Sequence, residues 1–252
     1  MSVLWIARHE TNKGKIRYQN EDSFVSEAFV LGEKCYLFCG VADGLGGHLA
    51  GDVASQLAVE TMTIEVRRNL IRLNPSDAMK LAAEVTNHKI YSEAHTSEIR
   101  KGMCSTLTVA LIQGDDLYIA HVGDSRAYLC RGEKIVHLTE DHSVANELVK
   151  KGEVLPQDAE QHPQRHMLTK ALGSNEQIDI DSIHTKIFPG EILFLCTDGV
   201  TRMVEDAELA KLLRASDSIS ENLNSIMVTA LMRGAPDNIT AIVATWEARD
   251  LE

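Results

Sequence analysis

The sequence predicts an α+β fold, in which strands and helices form layers around one core. Three observations predict it. Apolar runs with strand-like alternation are grouped into meanders with turn residues between them. Amphipathic segments of helical spacing lie between these groups of strands. Finally, no repeat or proline-rich linker divides the chain, so we expect residues 1–252 to form a single domain.

The strands are predicted from apolar runs bounded by turn residues. In the middle of the chain, Leu107, Val109 and Leu111 alternate with more polar neighbours, and the turn at 113–116 leads into a strand that carries Leu117 and Ile119. A further turn at 131–133 makes this region an antiparallel meander. The other predicted strands are 22–31, 34–42, 127–130, 191–196 and 239–245.

The helices are predicted where apolar spacing changes to three and four. The second helix has a typical start, because Asn74 can cap it and Pro75 fits the first helical position. A third helix has the most regular apolar face. The three apolar stripes are Ala54, Leu57, Ala58 and Met62; then Met79, Ala82, Ala83, Thr86 and Ile90; then Ile219, Leu223, Ile226, Met227, Ala230 and Leu231.

The charge balance excludes some classes of partner. Twenty-five Lys and Arg against 37 Asp and Glu give a net charge of −12, which repels nucleic-acid phosphates and anionic lipid headgroups. The longest apolar run, 35–42, is far shorter than the roughly 20 residues that span a bilayer. We therefore expect no nucleic acid and no membrane among the partners. The surplus carboxylates serve either solubility or the binding of divalent cations.

The cysteines and the N-terminus indicate a cytoplasmic location. The apolar stretch at residues 3–6 is too short for a secretory signal. The cysteines are odd in number and lie in apolar runs, which is typical of reduced, buried thiols rather than a disulfide framework or a metal pair. They are Cys35, Cys39, Cys104, Cys130 and Cys196.

Aspartates stand at the ends of three buried strands. Asp43-Gly44 and Asp198-Gly199 each follow an apolar run, and Asp237 precedes the last one. A single Asp-Gly is usually a turn. Three such carboxylates at the rim of one layered core can converge, and convergent carboxylates repel each other unless a cation holds them.

Seven short blocks, in order from about residue 14 to 246, resemble the metal-dependent (type 2C) serine/threonine protein phosphatases, in the form of a bacterial stand-alone catalytic domain. The blocks are Gly14-x-x-Arg17-x-x-Asn20-Glu21-Asp22-Ser23, Val41-x-Asp43-Gly44-x-Gly46-Gly47-His48, Gly123-Asp124-Ser125-Arg126, Leu138-Thr139-x-Asp141-His142-Ser143, Leu168-Thr169-Lys170-Ala171-Leu172-Gly173, Thr197-Asp198-Gly199 and Asp237-Asn238-Ile239-Thr240.

The resemblance implies a central antiparallel β-sandwich flanked by pairs of helices, with two Mn²⁺ or Mg²⁺ ions in a cleft at one edge. By matching motif, Asp43 bridges both ions and the Gly44 carbonyl binds one of them. Asp198 and Asp237 complete the other site.

Further roles follow from the same motifs. Glu21 and Asp22 act at the first pair of ligands, directly or through water. In bacterial members a third, weaker ion is held by the aspartates that match Asp124 and Asp198. From the residues alone, the block at Asp124 is equally a turn whose aspartate and arginine form an ion pair.

The resemblance also implies the reaction, which is hydrolysis of phosphoserine and phosphothreonine by attack of a metal-bridging hydroxide. Two metal ions acidify this water and absorb the charge of the transition state, so no covalent protein intermediate is required. Arg17 matches the arginine that grips the phosphate, where a bidentate guanidinium suits the oxygens better than a lysine.

One departure from the family concerns the general acid. Eukaryotic members have a histidine directly after the metal-binding Asp-Gly, whereas this chain has Leu45 there and His48 three residues later. The segment 141–173 resembles the flap that borders the cleft, with a helix expected from 143 to 151. Within it, His162 and His166 are spaced like a zinc pair, but a polar loop is the better interpretation because Pro163 follows the first histidine.

Three other functions remain open at this point. The first is a sensor or adaptor that has kept the fold and lost catalysis, the second a structural calcium site, and the third an enzyme acting on a small phosphorylated metabolite. An adaptor is expected to lack a metal-binding aspartate or the arginine, and this chain has both. As a phosphatase, it is expected to be a monomer whose substrates are phosphorylated proteins, including a eukaryotic-type Ser/Thr kinase and its targets.

Overall fold

Two antiparallel β-sheets face each other in the computed structural model, which describes residues 2–46, 50–96, 98–159 and 161–249. The strands are β1 (Ser2–Asn12), β2 (Asp22–Leu31), β3 (Lys34–Leu45), β4 (Cys104–Ser105), β5 (Leu107–Gln113), β6 (Asp116–Val122), β7 (Arg126–Arg131), β8 (Lys134–His137), β9 (Asp181–Lys186), β10 (Ile192–Cys196) and β11 (Ile239–Arg249). One sheet has the order β1-β11-β10-β7-β8, and the other has the order β2-β3-β5-β6-β9 with β4 beside β3.

Helices cover the outer faces of the two sheets. They are α1 (Gly51–Asn69), α2 (Pro75–Thr96), α3 (Val144–Lys150), α4 (Pro156–Ala159), α5 (Asp198–Thr201), α6 (Asp206–Leu212) and α7 (Ile219–Met232). The long pair α1 and α2 packs on the second sheet, while α6 and α7 share an apolar cluster with the first. No described helix is long and apolar enough to cross a membrane.

Alternation along the central strands explains the layers. In β3, Leu37, Cys39 and Val41 face the other sheet, whereas Phe38 belongs to the cluster beneath α1 and α2. Strand β10 does the same, since Leu195 points between the sheets and its neighbours toward α7. Successive side chains of a strand point to opposite faces, so each central strand contributes to two apolar layers at once. The predicted α+β fold is confirmed, with the β-sandwich at its centre.

Most predicted elements are found at their expected places. The strand predicted at 22–31 is β2 without change, and the strand predicted from 34 continues to Leu45. Asn74 does start α2, because its Oδ1 accepts the backbone N–H of Asp77 at 3.0 Å. In the flap, Ser143 caps α3, with its side chain accepting the Asn146 N–H at 3.3 Å.

Two strands lack a clear pattern in the sequence. Strand β1 pairs along its whole length with β11, although it contains Arg8, His9 and Glu10. Strand β9 alternates only between partly buried and exposed residues. Both lie at sheet edges, and their described side chains are at most partly buried, so neither shows a strong apolar alternation. All five thiols are free, as expected, but the expectation of burial is wrong for Cys35, which is exposed at the start of β3, and Cys104 is only partly buried.

Candidate active site

The predicted aspartates meet at one edge of the sandwich. Asp43 lies near the C-terminal end of β3. Asp198 is the first residue of α5, which follows β10, and Asp237 precedes β11. Asp124 lies in the turn between β6 and β7. Neighbouring strands bring their ends to a common rim, so residues far apart in the chain line one cavity of about 370 Å³.

All predicted site residues except Asp22 line this cavity. The lining residues are Arg17, Glu21, Asp43, Gly44, Leu45, Gly46, Asp124, His166, Leu168, Asp198, Arg202, Asp237 and Asn238. Asp22 lies opposite Asp43 in the β2–β3 register, and its Oδ2 accepts a hydrogen bond from Thr197 at 2.8 Å. Asp22 therefore lies beside Asp43 and Thr197 without lining the cavity itself.

Gly44 is needed because two backbone segments pass close to it. A Cβ at this position would lie 1.8 Å from the carbonyl oxygen of Gly51 and 2.8 Å from that of Glu21. The Gly44 N–H donates to the same Glu21 carbonyl at 3.1 Å. The missing side chain thus allows the start of α1 and the Glu21 segment to close on the end of β3.

The loop that carries Arg17 is fixed by Asn238. The Asn238 amide nitrogen donates to the carbonyls of Lys13 and Gln19, at 3.0 and 2.9 Å, and its oxygen accepts the Glu21 N–H at 2.8 Å. Gly14 lies against the same segment with a φ of 74°, so that a side chain there would collide with the Asp237 carbonyl. These contacts hold Arg17 and Glu21 beside Asp237.

The cavity has an excess of buried negative charge. Burial, followed by repulsion from Asp22 and Asp198, holds the pKa of Asp43 well above its usual range. Burial also raises the pKa of Asp124 well above its usual range, with repulsion from Asp198 adding to it. For Asp22, burial raises the pKa to about 7. Burial and repulsion of this kind disfavour the ionised carboxylates, and a bound cation would favour them.

Two arginines supply part of that positive charge. Arg17 forms a bidentate contact with Asp237, with Nε 2.9 Å from Oδ1 and Nη2 2.9 Å from Oδ2. Arg202 contacts the same carboxylate at 3.0 Å through Nη1 and also donates to Asp198. Sequence reasoning missed Arg202. The available signal was its position four residues after Asp198, a spacing that brings side chains together on a helix.

The donor set fits hard divalent cations. Within the described ranges no three His, Cys, Asp or Glu side chains already surround a common point that would hold a metal ion, and the arginines contact Asp198 and Asp237 instead. However, Asp22 Oδ1 and Asp198 Oδ1 are buried without a hydrogen-bond partner in the described part of the chain. Carboxylate oxygens of this kind are the ligands that Mg²⁺ and Mn²⁺ prefer.

The Gly-Asp-Ser-Arg block is not an ion-paired turn. Arg126 forms its bidentate contact with Asp141, at 2.9 and 2.7 Å, while Asp124 faces the cavity. The alternative raised by the sequence is therefore wrong for this block. Asp141 is the first residue of the flap segment, so its contact with Arg126 links the flap to β7.

Among the described residues, His162 and His166 form no metal pair. His166 lines the cavity from the flap, and burial lowers its pKa to about 4, with the Arg202 charge contributing. His162 instead accepts the backbone N–H of Gln164 at 3.2 Å in an exposed loop, as the polar-loop interpretation predicts. His48 lies outside the described residues. Leu45 lines the cavity with an apolar side chain.

Comparisons with known proteins identify the family of the chain. The family model for protein phosphatase 2C matches residues 8–148. A serine/threonine phosphatase stp of Listeria innocua is 34% identical over 240 residues, which cover 94% of each chain. The protein phosphatase PhpP of Streptococcus pneumoniae is 33% identical over 214 residues, 84% of this chain and 87% of that protein.

Solved structures show the same fold. The Mycobacterium tuberculosis serine/threonine phosphatase PstP/Ppp superposes with a TM-score of 0.85 at 29% identity, covering 98% of this chain and 99% of the other. The PstP catalytic domain in complex with two manganese ions gives a TM-score of 0.83 at 27% identity, covering 98% and 100%. The chain therefore belongs to the protein phosphatase 2C family, the Mn²⁺- or Mg²⁺-dependent serine/threonine protein phosphatases.

Proposed function

We propose that this chain removes phosphate from phosphoserine and phosphothreonine in proteins at the cavity on the sandwich edge. The observation that carries the proposal is the convergence there of Asp43, Asp198, Asp237 and Arg17, which come from four separate parts of the chain. The carboxylates, with the Gly44 carbonyl, are the residues that would hold two divalent ions. Glu21 lines the same cavity, and Asp22 supports it from behind.

When bound, the ions supply Lewis acidity, which activates water and balances the charge of the phosphate. The chain's own residues position the substrate. Arg17 has the fork geometry that matches two phosphate oxygens, as its present bidentate contact with Asp237 shows for a carboxylate. We propose that Arg17 exchanges this contact for the phosphate. Its anchored loop keeps the guanidinium within reach.

The cavity supports water as the attacking group. Its described lining residues include no serine, threonine or cysteine that would supply a hydroxyl or thiol nucleophile. His166 is the histidine among the described lining residues, and burial together with the Arg202 charge lowers the pKa of its imidazole, which disfavours the protonated form. We therefore assign the leaving-group proton to solvent in the open side of the cavity.

We also propose the finer properties of the enzyme. Residues 1–252 form one catalytic domain with a flap at 141–173. The free thiols, several of them buried, support a reducing, cytoplasmic location. The net charge of −12 favours a monomer. Because phosphoserine in proteins is made by kinases, we propose a eukaryotic-type Ser/Thr kinase and its targets as the source of the substrates.

Hydrolysis of a phosphothreonine peptide tests the residue roles. We expect activity to disappear on chelation, to return with Mn²⁺, and to be absent from Asp198→Ala at every Mn²⁺ concentration. The exposed Asp217→Ala is the matched control and should retain full activity. Turnover by Asp198→Ala comparable to that of the control would contradict the proposed site. Hydrolysis of small phosphate esters with no turnover of peptides would favour the metabolite alternative instead.

A further inference from the structure

Arg202 is a cation in the cavity that the roles above do not use. It caps the C-terminal end of α5, four residues after Asp198. Its side chain is only 24% exposed, which is unusual for an arginine with no assigned task. It is also absent from the family blocks that the sequence contains.

Arg202 contacts two of the carboxylates that are proposed to hold the core ions. Its Nη2 donates to Asp198 Oδ2, and its Nη1 donates to Asp237 Oδ2 at 3.0 Å. The Arg202 charge also lowers the pKa of the Asp124 carboxyl, against the effect of burial and repulsion. The guanidinium therefore lies among Asp124, Asp198 and Asp237 as a resident positive charge.

The two oxygens of Asp198 are used differently. Oδ2 is occupied by Arg202, whereas Oδ1 is buried and has no partner among the described residues. Asp198 can thus offer Oδ1 to a core ion while Oδ2 keeps the arginine. At Asp198 a core ion and Arg202 therefore use different atoms. At Asp237 both oxygens are contacted by Arg17 and Oδ2 also by Arg202, so a core ion there displaces these arginine contacts.

A third ion on Asp124 and Asp198 does compete with Arg202. It would need Asp198 Oδ2, and it would bring a divalent charge against a guanidinium that cannot lose its proton. Two cations about 4 Å apart repel each other strongly where water is scarce. The residues present therefore do not fit the third ion that the family resemblance implies.

We propose that Arg202 takes the place of the third metal ion, so that this chain binds two divalent ions and no more. The inference rests on the proposed two-ion site. It means that the positive charge beside Asp124 and Asp198 is present at every metal concentration. A chain with this arginine has no separate, weakly bound ion to gain or lose.

Equilibrium dialysis against Mn²⁺, with metal content measured per chain, tests this without reference to activity. We expect two Mn²⁺ in the wild type and in Asp124→Asn, and three in Arg202→Asn. Arg202→Lys retains the charge and should bind two. Adding Asp124→Asn to Arg202→Asn should remove the extra ion. Arg67→Asn is the matched control, because Arg67 lies in the last turn of α1, contacts Glu27 and does not line the cavity, and it should bind two.

The outcomes separate the inference from the proposed function. Three Mn²⁺ in the wild type, falling to two in Asp124→Asn, would overturn the role of Arg202 while leaving the core site intact. Two in Arg202→Asn would also overturn it. Fewer than two in both the wild type and Arg202→Asn would contradict the core site and with it the inference. If Arg202→Asn does not fold, the Mn²⁺ content of the wild type is compared with that of Asp124→Asn. Equal contents of two support the inference, and a higher content in the wild type overturns it.

Discussion

Two clusters of charge at the same edge of the sandwich differ in how they are balanced. Arg126 and Asp141 form a nearly ideal bidentate pair, and their side chains are 19% and 18% exposed. At the cavity, Asp43, Asp124 and Asp198 are all buried, and the Asp198 charge raises the pKa of both Asp43 and Asp124. The first cluster is complete without any other molecule, whereas the second has more negative than positive charge.

The difference separates architecture from function. A buried pair that satisfies itself fixes the flap to β7 and needs no ligand. A buried cluster that repels itself is costly to keep unless something binds there. The orphaned oxygens of Asp22 and Asp198 belong to the second cluster, which is where the proposed ions and phosphate would bind.

The largest effect is expected at the unbalanced cluster. Asp43→Asn should lower peptide dephosphorylation at saturating Mn²⁺ by at least about a hundredfold, since even residues that only support metal ligands cost up to that much. Steady-state assays with a phosphothreonine peptide measure this. Retention of more than a tenth of the wild-type rate would show that Asp43 does not hold the ions.

At the balanced pair, breaking one partner should destabilise the fold. Arg126→Met leaves Asp141 buried without its partner, and we expect a loss of about 3–5 kcal/mol in the free energy of unfolding. The double change Arg126→Met with Asp141→Leu should recover most of it. Urea denaturation provides the values. An additive double variant would mean that the two residues are not energetically coupled.

A buried histidine gives an intermediate effect that depends on pH. Burial lowers the pKa of His121 to about 4, with the nearby His142 adding to the shift and Asp141 and Asp181 opposing it. The unfolded chain takes up the proton near pH 6.5, so the stability that neutral His121 contributes is complete above that pH and is lost as pH falls toward 4. The loss should reach about 3 kcal/mol.

Two measurements check the His121 prediction. The imidazole resonances of His121 should show no titration above about pH 5, and the stability difference between the wild type and His121→Gln should shrink from pH 7 to pH 4. Titration of His121 near pH 6.5 would contradict the predicted direction.

The smallest effect is expected at the start of the flap helix. Ser143→Ala removes the cap of α3 and should cost about 1 kcal/mol or less, because its hydrogen bond to Asn146 is long at 3.3 Å. Mn²⁺ affinity should not change, since Ser143 does not line the cavity. Thermal unfolding with and without Mn²⁺ tests both statements. An altered Mn²⁺ affinity would contradict the second and would mean that the flap helix affects metal binding.

The sequence predicts the fold well where burial imposes a pattern. The limits of β2 and the start of α2 follow directly from alternation and from the Asn74-Pro75 cap. Edge strand β1 escapes prediction because its described side chains, residues 5–12, are only partly buried or exposed and include the charged Arg8 and Glu10. Pairing with β11, far along the chain, defines it instead.

For the site, the order of the motifs predicts which residues line the cavity but not how their side chains are oriented. Asp43, Asp198 and Asp237 could be chosen because each ends or begins a buried run. That Asp22 turns toward Thr197, and that Arg202 reaches back to Asp198, depends on side-chain packing that no linear pattern records. Arg126 pairs with Asp141 rather than Asp124 for the same reason.

The central claim is that the Asp43 cluster is unfavourable by itself and is stabilised by added cations. Thermal unfolding of the wild type and Asp43→Asn, in chelator and in Mn²⁺, tests it most directly. We expect Asp43→Asn to be the more stable protein in chelator. With Mn²⁺ at a hundredfold excess over its Kd, the wild type should gain about 2.7 kcal/mol for each ion bound and become the more stable of the two. A wild type that is more stable than Asp43→Asn in chelator and gains nothing from Mn²⁺ would contradict the claim.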